Sequence, residues 1–324
     1  MALSGNPQRS CLLIIQKDFY SFEKHVRIAL TDLGYQVTVA NHEYPEGALG
    51  KILGKLQVPY IFSSTSKYLA EHYLDNKYYD VVLIIKGRGI SASLIELLKK
   101  HATQVVGYNY DSFKYNPSPI KWYKLATSYY TFDYKDGDNY NVPVVELFSS
   151  TPVNTDIKEI RYEISALVRN HSQRLKYLNK VINILKPNSY FIYIFEQNIL
   201  TFLVNFVKNP LLYLKYWKYI HFKPLKYSDY NDVIKTSGVT IDYAHHRQTG
   251  ITIRCYEAIN MQTKIISNNT YLSRSKYFND TNSLIFNIND NEEDLVKSYN
   301  RLKNNDLVAK VRDIHSFIED LIGK

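Results

Sequence analysis

Only two cysteines occur in the 324 residues, Cys11 and Cys255. One falls in an apolar run that reads as a buried strand, the other in a stretch that reads as a helix. Neither has a Cys or His neighbour at metal spacing. A disulfide framework is therefore excluded, and a reducing compartment fits. No run of about twenty apolar residues is present to span a bilayer. The opening stretch, MALSGNPQRSCLLIIQKD, carries too short an apolar run for a signal peptide. The expectation is a cytoplasmic protein. No run of five or six Lys or Arg appears, and no D-x-D motif sits at a strand end; the DGD at 136–138 reads as turn chemistry. Nothing resembles an RNA-recognition, KH or zinc-ribbon signature, so no nucleic-acid partner and no bound metal are expected. There is no internal repeat.

The chain is 45% hydrophobic and 22% charged, ample for a sizeable core, and its length suits two domains. Lys and Arg outnumber Asp and Glu by 40 to 31, a net charge of +9, which suits a polyanionic partner such as a phosphorylated substrate or an acidic membrane face. Thirty tyrosines, with plentiful Asn, Lys and Ile, mark a chain-wide bias that accounts for part of this basicity.

The first half alternates strand and helix. Strands are predicted at 11–16, 36–42, 79–87, 104–111, 128–133 and 142–148, and helices at 22–34, 67–76, 91–101 (capped by Ser91) and 118–126. The polar tract 149–158 reads as a linker. Alternation then resumes with strands at 163–168 and 189–197, a short strand opening the 239–260 segment, and further strands at 264–269 and 283–288. A helix is predicted over 172–185, an irregular helical region over 198–236, and two final helices at 291–303 and 308–322. This pitch means parallel sheets covered on both faces, with ligands beyond the carboxyl ends of the strands. The predicted division is an N-terminal Rossmann-like domain at 1–152 and a second at 153–308. The last helix, 309–324, packs back on the first in this reading.

The segment 239–260, VTIDYAHHRQTGITIRCYEAIN, reads as a strand, a polar turn and a helix start. Unpaired first-turn amides and the positive end of the helix dipole make such a start an anion site. Arg247 and Arg254 add charge, and Glu257 lies on the face of Arg254, able to accept from sugar hydroxyls. The same residues also make an ordinary strand–turn–helix. Lys86-Gly87-Arg88-Gly89 closes a strand without the third glycine of a dinucleotide fingerprint, and reads either as a ligand approach or as a tight turn. Asp111 ends the next strand and suits a general base, or caps a turn with Ser112. Asp18 occupies the analogous edge after the first strand. Arg174, in the polar turn 169–174, is a second phosphate contact or part of a solvated loop. Glu196 binds a base or ribose, or is a surface carboxylate. The 202–227 stretch mixes aromatics with lysines, as an anionic-membrane contact does and as core-facing helices with snorkelling lysines do.

YDVVLIIKGRGISASLIELLKK, VVGYNYDSF and above all SGVTIDYAHHRQTGITIRCYEAINMQTKIISNN resemble glycosyltransferases of the GT-B fold, nearest to the CgeB-like and lipopolysaccharide-core or capsule proteins of bacteria. The matching positions are Lys86, Gly87, Gly89, Asp111, Ser112, Gln248, Thr249, Gly250, Thr252, Arg254 and Glu257. The resemblance implies two Rossmann-like domains facing a cleft, with a nucleotide-sugar donor in the second domain and a glycan or glycolipid acceptor in the first. It implies that Gln248, Thr249, Gly250, Thr252, Arg254 and Glu257, with Arg247, Arg174 and Glu196, hold the donor, and that Lys86, Gly87, Gly89, Ser112 and Asp18 border the acceptor. Glu257 matches the second glutamate of an E-x7-E pattern whose first position is Thr249 here. Asp111 would accept the acceptor proton, with no metal and no other cofactor. The enzymatic alternative is a GT-B-type sugar-nucleotide epimerase. The non-enzymatic one is a binding protein for a phosphosugar or an anionic membrane.

Overall fold

The computed structural model describes residues 8–16, 22–155, 158–170, 173–307 and 310–323. The chain divides into two compact units. One comprises Met1–Ser150, Arg247–Gly250 and Arg312–Lys324, and the other Thr151–His246 and Ile251–Val311.

In the first unit, five parallel strands lie in the order β2-β1-β3-β4-β5. They are β1 (Arg9–Ile14), β2 (Tyr35–Ala40), β3 (Tyr79–Ile85), β4 (Ala102–Asn109) and β5 (Ser128–Thr131). The helices are α1 (Phe22–Asp32), α2 (Ala48–Lys55), α3 (Pro59–Leu69), α4 (Ala92–Lys100) and α5 (Tyr134–Tyr140). The run Val81–Ile85 is wholly buried, as a strand covered on both faces must be. Ser91 caps α4 as expected, its Oγ accepting from the Leu94 amide at 3.1 Å.

The second unit holds six parallel strands in the order β11-β10-β9-β6-β7-β8. They are β6 (Tyr162–Arg169), β7 (Tyr190–Phe195), β8 (Ile220–His221), β9 (Ser237–Asp242), β10 (Lys264–Ser267) and β11 (Ser283–Ile285). The helices are α6 (Arg174–Leu185), α7 (Ile199–Lys208), α8 (Pro210–Lys215), α9 (Tyr227–Lys235), α10 (Ile253–Asn260) and α11 (Glu292–Asn304). Counted from β6, this is the doubly wound order 3-2-1-4-5-6 in reverse, and the strand order switches direction between β6 and β9. A last helix, α12 (Ile314–Ile322), belongs to the first unit, where Phe317 packs edge-on against Tyr108.

Three predicted segments differ. The 142–148 segment makes a single bridge to β5, Thr131 to Val144, and no strand. Pro143 has no amide to donate, which breaks the ladder. The 118–126 segment forms only a short 3-10 turn, Ser118–Lys121, because prolines at 117 and 119 favour a turn over a continuing helix. The 136–138 stretch, read as a turn, lies inside α5 with Asp133 as its cap.

Candidate functional site

Parallel strands bring the residues that follow them to one edge of each sheet, so the chemistry collects there. In the first unit, β3 runs into Lys86 and β4 into Asp111. Lys86 Nζ stands 2.7 Å from Asp111 Oδ2, and Gln248 Nε2 donates to Asp111 Oδ1 at 3.2 Å. Lys86 is itself buried, with its ammonium 5.0 Å from the centre of the Tyr110 ring. Ser112 Oγ donates to the Arg247 carbonyl at 2.7 Å. Lys86, Asp111, Ser112, Arg247 and Gln248 are therefore one constellation, although 135 residues separate Ser112 from Arg247. Asp18 lies outside the described residues.

The glycines after β3 make room for protein. A Cβ on Gly87 would come within 2.6 Å of the Trp122 ring, and one on Gly89 within 2.8 Å of the His42 carbonyl and of Thr65 Oγ1. Gly87 also has φ +56, which suits glycine.

Beside Lys86, the residues after β2 add a buried pair that the sequence did not single out. Glu43 Oε2 lies 3.7 Å from Arg88 Nη1 and 3.8 Å from His42 Nε2. Burial pushes the Glu43 carboxyl up, and Arg88 and Lys86 only partly counter it. Burial, reinforced by the charges of Lys86 and Arg88, drives the His42 imidazole well below its ordinary value, so it is neutral at pH 7. A periodicity reading has no means of finding this pair, because Asn41-His42-Glu43 resembles any polar strand exit.

The turn expected to carry anion-binding amides is occupied from within. Asp133, 1% exposed, accepts from the Thr249 amide at 2.5 Å, the Gly250 amide at 3.3 Å, Thr249 Oγ1 at 2.8 Å and the Asp136 amide at 3.1 Å. The Thr249 hydroxyl also accepts from the Lys135 amide at 3.0 Å. A Cβ on Gly250 would meet the Phe132 ring at 2.4 Å. Thr249 and Gly250 thus spend their backbone donors on a carboxylate of the first unit.

In the second unit, α10 starts at the point where the strand order switches. Arg254 donates through Nη1 to the Leu167 carbonyl of β6 at 3.0 Å and through Nη2 to Asp242 Oδ1 at 3.1 Å. These bonds use two of the five N–H donors of a guanidinium. Thr252, the residue before the helix, donates its hydroxyl to the same Asp242 oxygen at 3.2 Å. Glu257, one helical turn on and buried, accepts from Tyr227 Oη at 3.0 Å. Burial first, then the Glu257 charge, pushes the Tyr230 phenol well above its ordinary value, so it remains a hydroxyl. Tyr227 and Tyr230 of α9 were hidden in the sequence by the abundance of tyrosine.

Arg174 opens α6, buried, with Nη1 3.3 Å from the Arg169 carbonyl. Glu196 follows β7 and is fully buried, which removes the surface-carboxylate reading. Its Oε1 accepts from Asn170 Nδ2 at 2.5 Å and from the Tyr213 hydroxyl. A cavity of about 400 Å³ lies at the opposite, amino ends of β6, β9 and β10, lined by Lys158, Glu163, Lys264 and Lys303. It is remote from these residues in strand direction. Among the described residues, no group of three or more His, Cys, Asp and Glu side chains is arranged to hold a metal ion, and no helix is long and apolar enough to cross a membrane.

No family model and no curated protein matches the chain. Solved structures match it over nearly its whole length. A glycosyltransferase from Rickettsia africae is 14% identical with a TM-score of 0.55, covering 98% of this chain and 93% of its own. Anabaena HepE in complex with UDP-glucose is 9% identical with a TM-score of 0.55, covering 97% and 95%. The UDP-GlcNAc 2-epimerase of Methanocaldococcus jannaschii is 12% identical with a TM-score of 0.52, covering 98% and 100%. The fold is GT-B. At these identities the likeness is one of fold, and the GT-B architecture accounts for the two parallel sheets with their flanking helices.

Two predictions follow from the Asp133 and Asp136 geometry. Asp133→Ala should lower stability to chemical denaturation by about 3 kcal/mol, because four donors lose one buried acceptor; an unchanged midpoint would show that water replaces it without loss. Burial, with Asp133 beside it, raises the Asp136 carboxyl from 3.8 to about 6. The folded state then holds a proton that the unfolded state releases, so this group removes stability as pH rises from 3.8 to about 6. Asp136→Asn should therefore gain in Tm over the wild type across that window and keep the gain above it. A Tm difference independent of pH would contradict the raised value.

Proposed function

We propose that the chain is a metal-independent glycosyltransferase that moves a sugar from a nucleotide-sugar donor to a hydroxyl of a bacterial glycan or glycolipid. The observation that carries this reading is the start of α10 at the strand-order switch of a doubly wound sheet, with Arg254 and Glu257 one helical turn apart. That is where such sheets bind nucleotides. The fold shared with a glycosyltransferase and with a protein holding UDP-glucose supports it.

In this reading, breaking the sugar–diphosphate bond leaves negative charge on the diphosphate. The amino end of α10 and the remaining donors of Arg254 meet that charge, without a divalent cation. Thr252 and Arg174 contribute further hydrogen bonds, and Glu196 acts from within the fold by holding Asn170 and Tyr213. The Glu257 carboxylate, oriented by Tyr227, accepts from hydroxyls of the donor sugar or ribose. Asp111, held by Lys86 and Gln248, takes the proton of the acceptor hydroxyl. Lys86, Gly89 and Ser112 shape the acceptor side. The protein works in the cytoplasm on this reading. A second reading, a sugar-nucleotide epimerase, is favoured by the full-length match to the UDP-GlcNAc 2-epimerase.

Calorimetry against UDP-, GDP-, ADP-, TDP- and CMP-sugars should find one donor class bound by the wild type. Glu257→Ala and Arg254→Ala should each weaken that binding at least tenfold, as expected for loss of a charge-assisted hydrogen bond. Donor affinity unchanged in both variants would remove the site from α10. Turnover should persist in excess chelator, whereas loss in chelator with rescue by magnesium or manganese would refute the metal-free claim. Product analysis separates the two enzymes: a glycosylated acceptor supports transfer, and an epimerised sugar nucleotide with no acceptor requirement supports the second reading.

A further inference from the structure

A helix on the surface of a folded unit normally has one apolar stripe, turned to the core. Helix α7 has two. Phe202 is buried and Phe206 packs against the core of the second unit, while Leu200, Leu203, Val204 and Val207 line the other side and are exposed. The pattern continues past the turn at Pro210. Tyr213 and Tyr216 are buried, anchoring α8, while Leu211, Leu214 and Trp217 face solvent. Exposure reaches 83% at Leu211 and 77% at Val207. Scattered apolar side chains on a surface mean little, but a contiguous set of this extent marks an interaction site.

The charges along this segment are of one sign. Between Glu196 and Asp229 the chain has Lys208, Lys215, Lys218, Lys223 and Lys226, and no Asp or Glu. Each of these lysines is exposed. Lys215 is held at the rim by Asn179 and Asn183 of α6, with Nζ at 2.8 and 2.6 Å. A two-fold contact between copies would set this lysine cluster against itself without a compensating acid, which disfavours a second copy as occupant. Stacking on nucleic acid would call for aromatic side chains, and the most exposed residues here are aliphatic. An apolar face rimmed by cations is what an anionic bilayer surface binds: acyl chains take the leucines and valines, and lipid phosphates take the ammonium groups.

We propose that α7, α8 and Trp217 form an in-plane membrane-docking surface that seats the second unit on an anionic bilayer. The surface stands whether or not α10 carries a nucleotide sugar, because none of its residues belongs to that site.

The test uses the full chain with vesicles of phosphatidylcholine, alone or mixed with phosphatidylglycerol. The wild type should sediment with the mixed vesicles and remain in the supernatant with the neutral ones. Tryptophan emission should shift to the blue only with the mixed vesicles. That shift reports Trp217, since the chain has two tryptophans and Trp122 is 1% exposed; it should vanish in Trp217→Phe. Val207→Glu with Leu211→Glu should abolish sedimentation while the thermal unfolding curve is retained. Lys208→Gln, Lys218→Gln and Lys223→Gln together should reduce vesicle affinity about a hundredfold, at roughly a factor of five per charge. Wild-type protein that stays in solution with the mixed vesicles, or shows no Trp217 shift, overturns the proposal even if a variant fails to fold. A dimer that Leu211→Glu dissociates, with no vesicle binding, assigns the face to a second copy and overturns it as well.

Discussion

A single buried carboxylate sets the conformation of the turn that leads into α10. Asp133 accepts four hydrogen bonds, two on each oxygen, and so satisfies a polar side chain that burial would otherwise penalise. Three of those bonds come from Thr249 and Gly250. The turn is consequently short of free amides at those positions, and Phe132 leaves Gly250 no space for a side chain. In the proposed reading, anion recognition at this end of α10 falls to the helix's own first turn and to Arg254. Thr249 has a physical role of its own, since its hydroxyl donates to Asp133 and accepts from the Lys135 amide.

Parallel pairing does the rest of the positioning. Within each sheet the strands are parallel, so the residues at their carboxyl ends gather at one edge of that sheet: Glu43, Lys86, Asp111 and Asp133 in the first unit, and Asn170, Glu196 and Asp242 in the second. Most of these polar groups are partnered before any ligand arrives. Lys86 neutralises Asp111, Asp242 neutralises Arg254, and Tyr227 holds Glu257. Such pairing keeps charged groups oriented in a poorly hydrated setting, the condition under which hydrogen-bond donors are most effective toward developing charge. The apolar outer stripe of α7 and α8 is of another kind, exposed aliphatic side chains with no polar group to satisfy.

The architecture was readable because it rests on local patterns. Val81–Ile85 is an unbroken apolar run, Ser91 is a good helix cap, and strand–helix alternation at regular pitch leaves parallel sheets as the simple solution. The sequence was a poorer guide where a few prolines outweighed hydrophobic pattern, as at 117–119 and at Pro143. It pointed to Lys86, Asp111, Arg254 and Glu257 as residue types at strand ends and on one helix face. It offered no sign of the groups that hold them: Asp133 looked like the tail of a strand, His42 and Glu43 like a polar exit, and Tyr227 and Tyr230 like two of many tyrosines.

What the amino-acid sequence determined by itself was therefore the class of the molecule: two α/β units, strands buried on both faces, and a basic, tyrosine-rich chain with a strand–turn–helix over 239–260. Hydrophobic periodicity and capping act over a few residues, and are complete in the sequence. Tertiary structure alone decided that Gln248 reaches Asp111 across 137 positions, that Glu196 is buried, and that Asp133 consumes the amides of Thr249 and Gly250. It also decided that α7 shows an apolar face to solvent. Those facts depend on which side chains long-range folding brings within hydrogen-bond distance or leaves uncovered, and no local pattern encodes that.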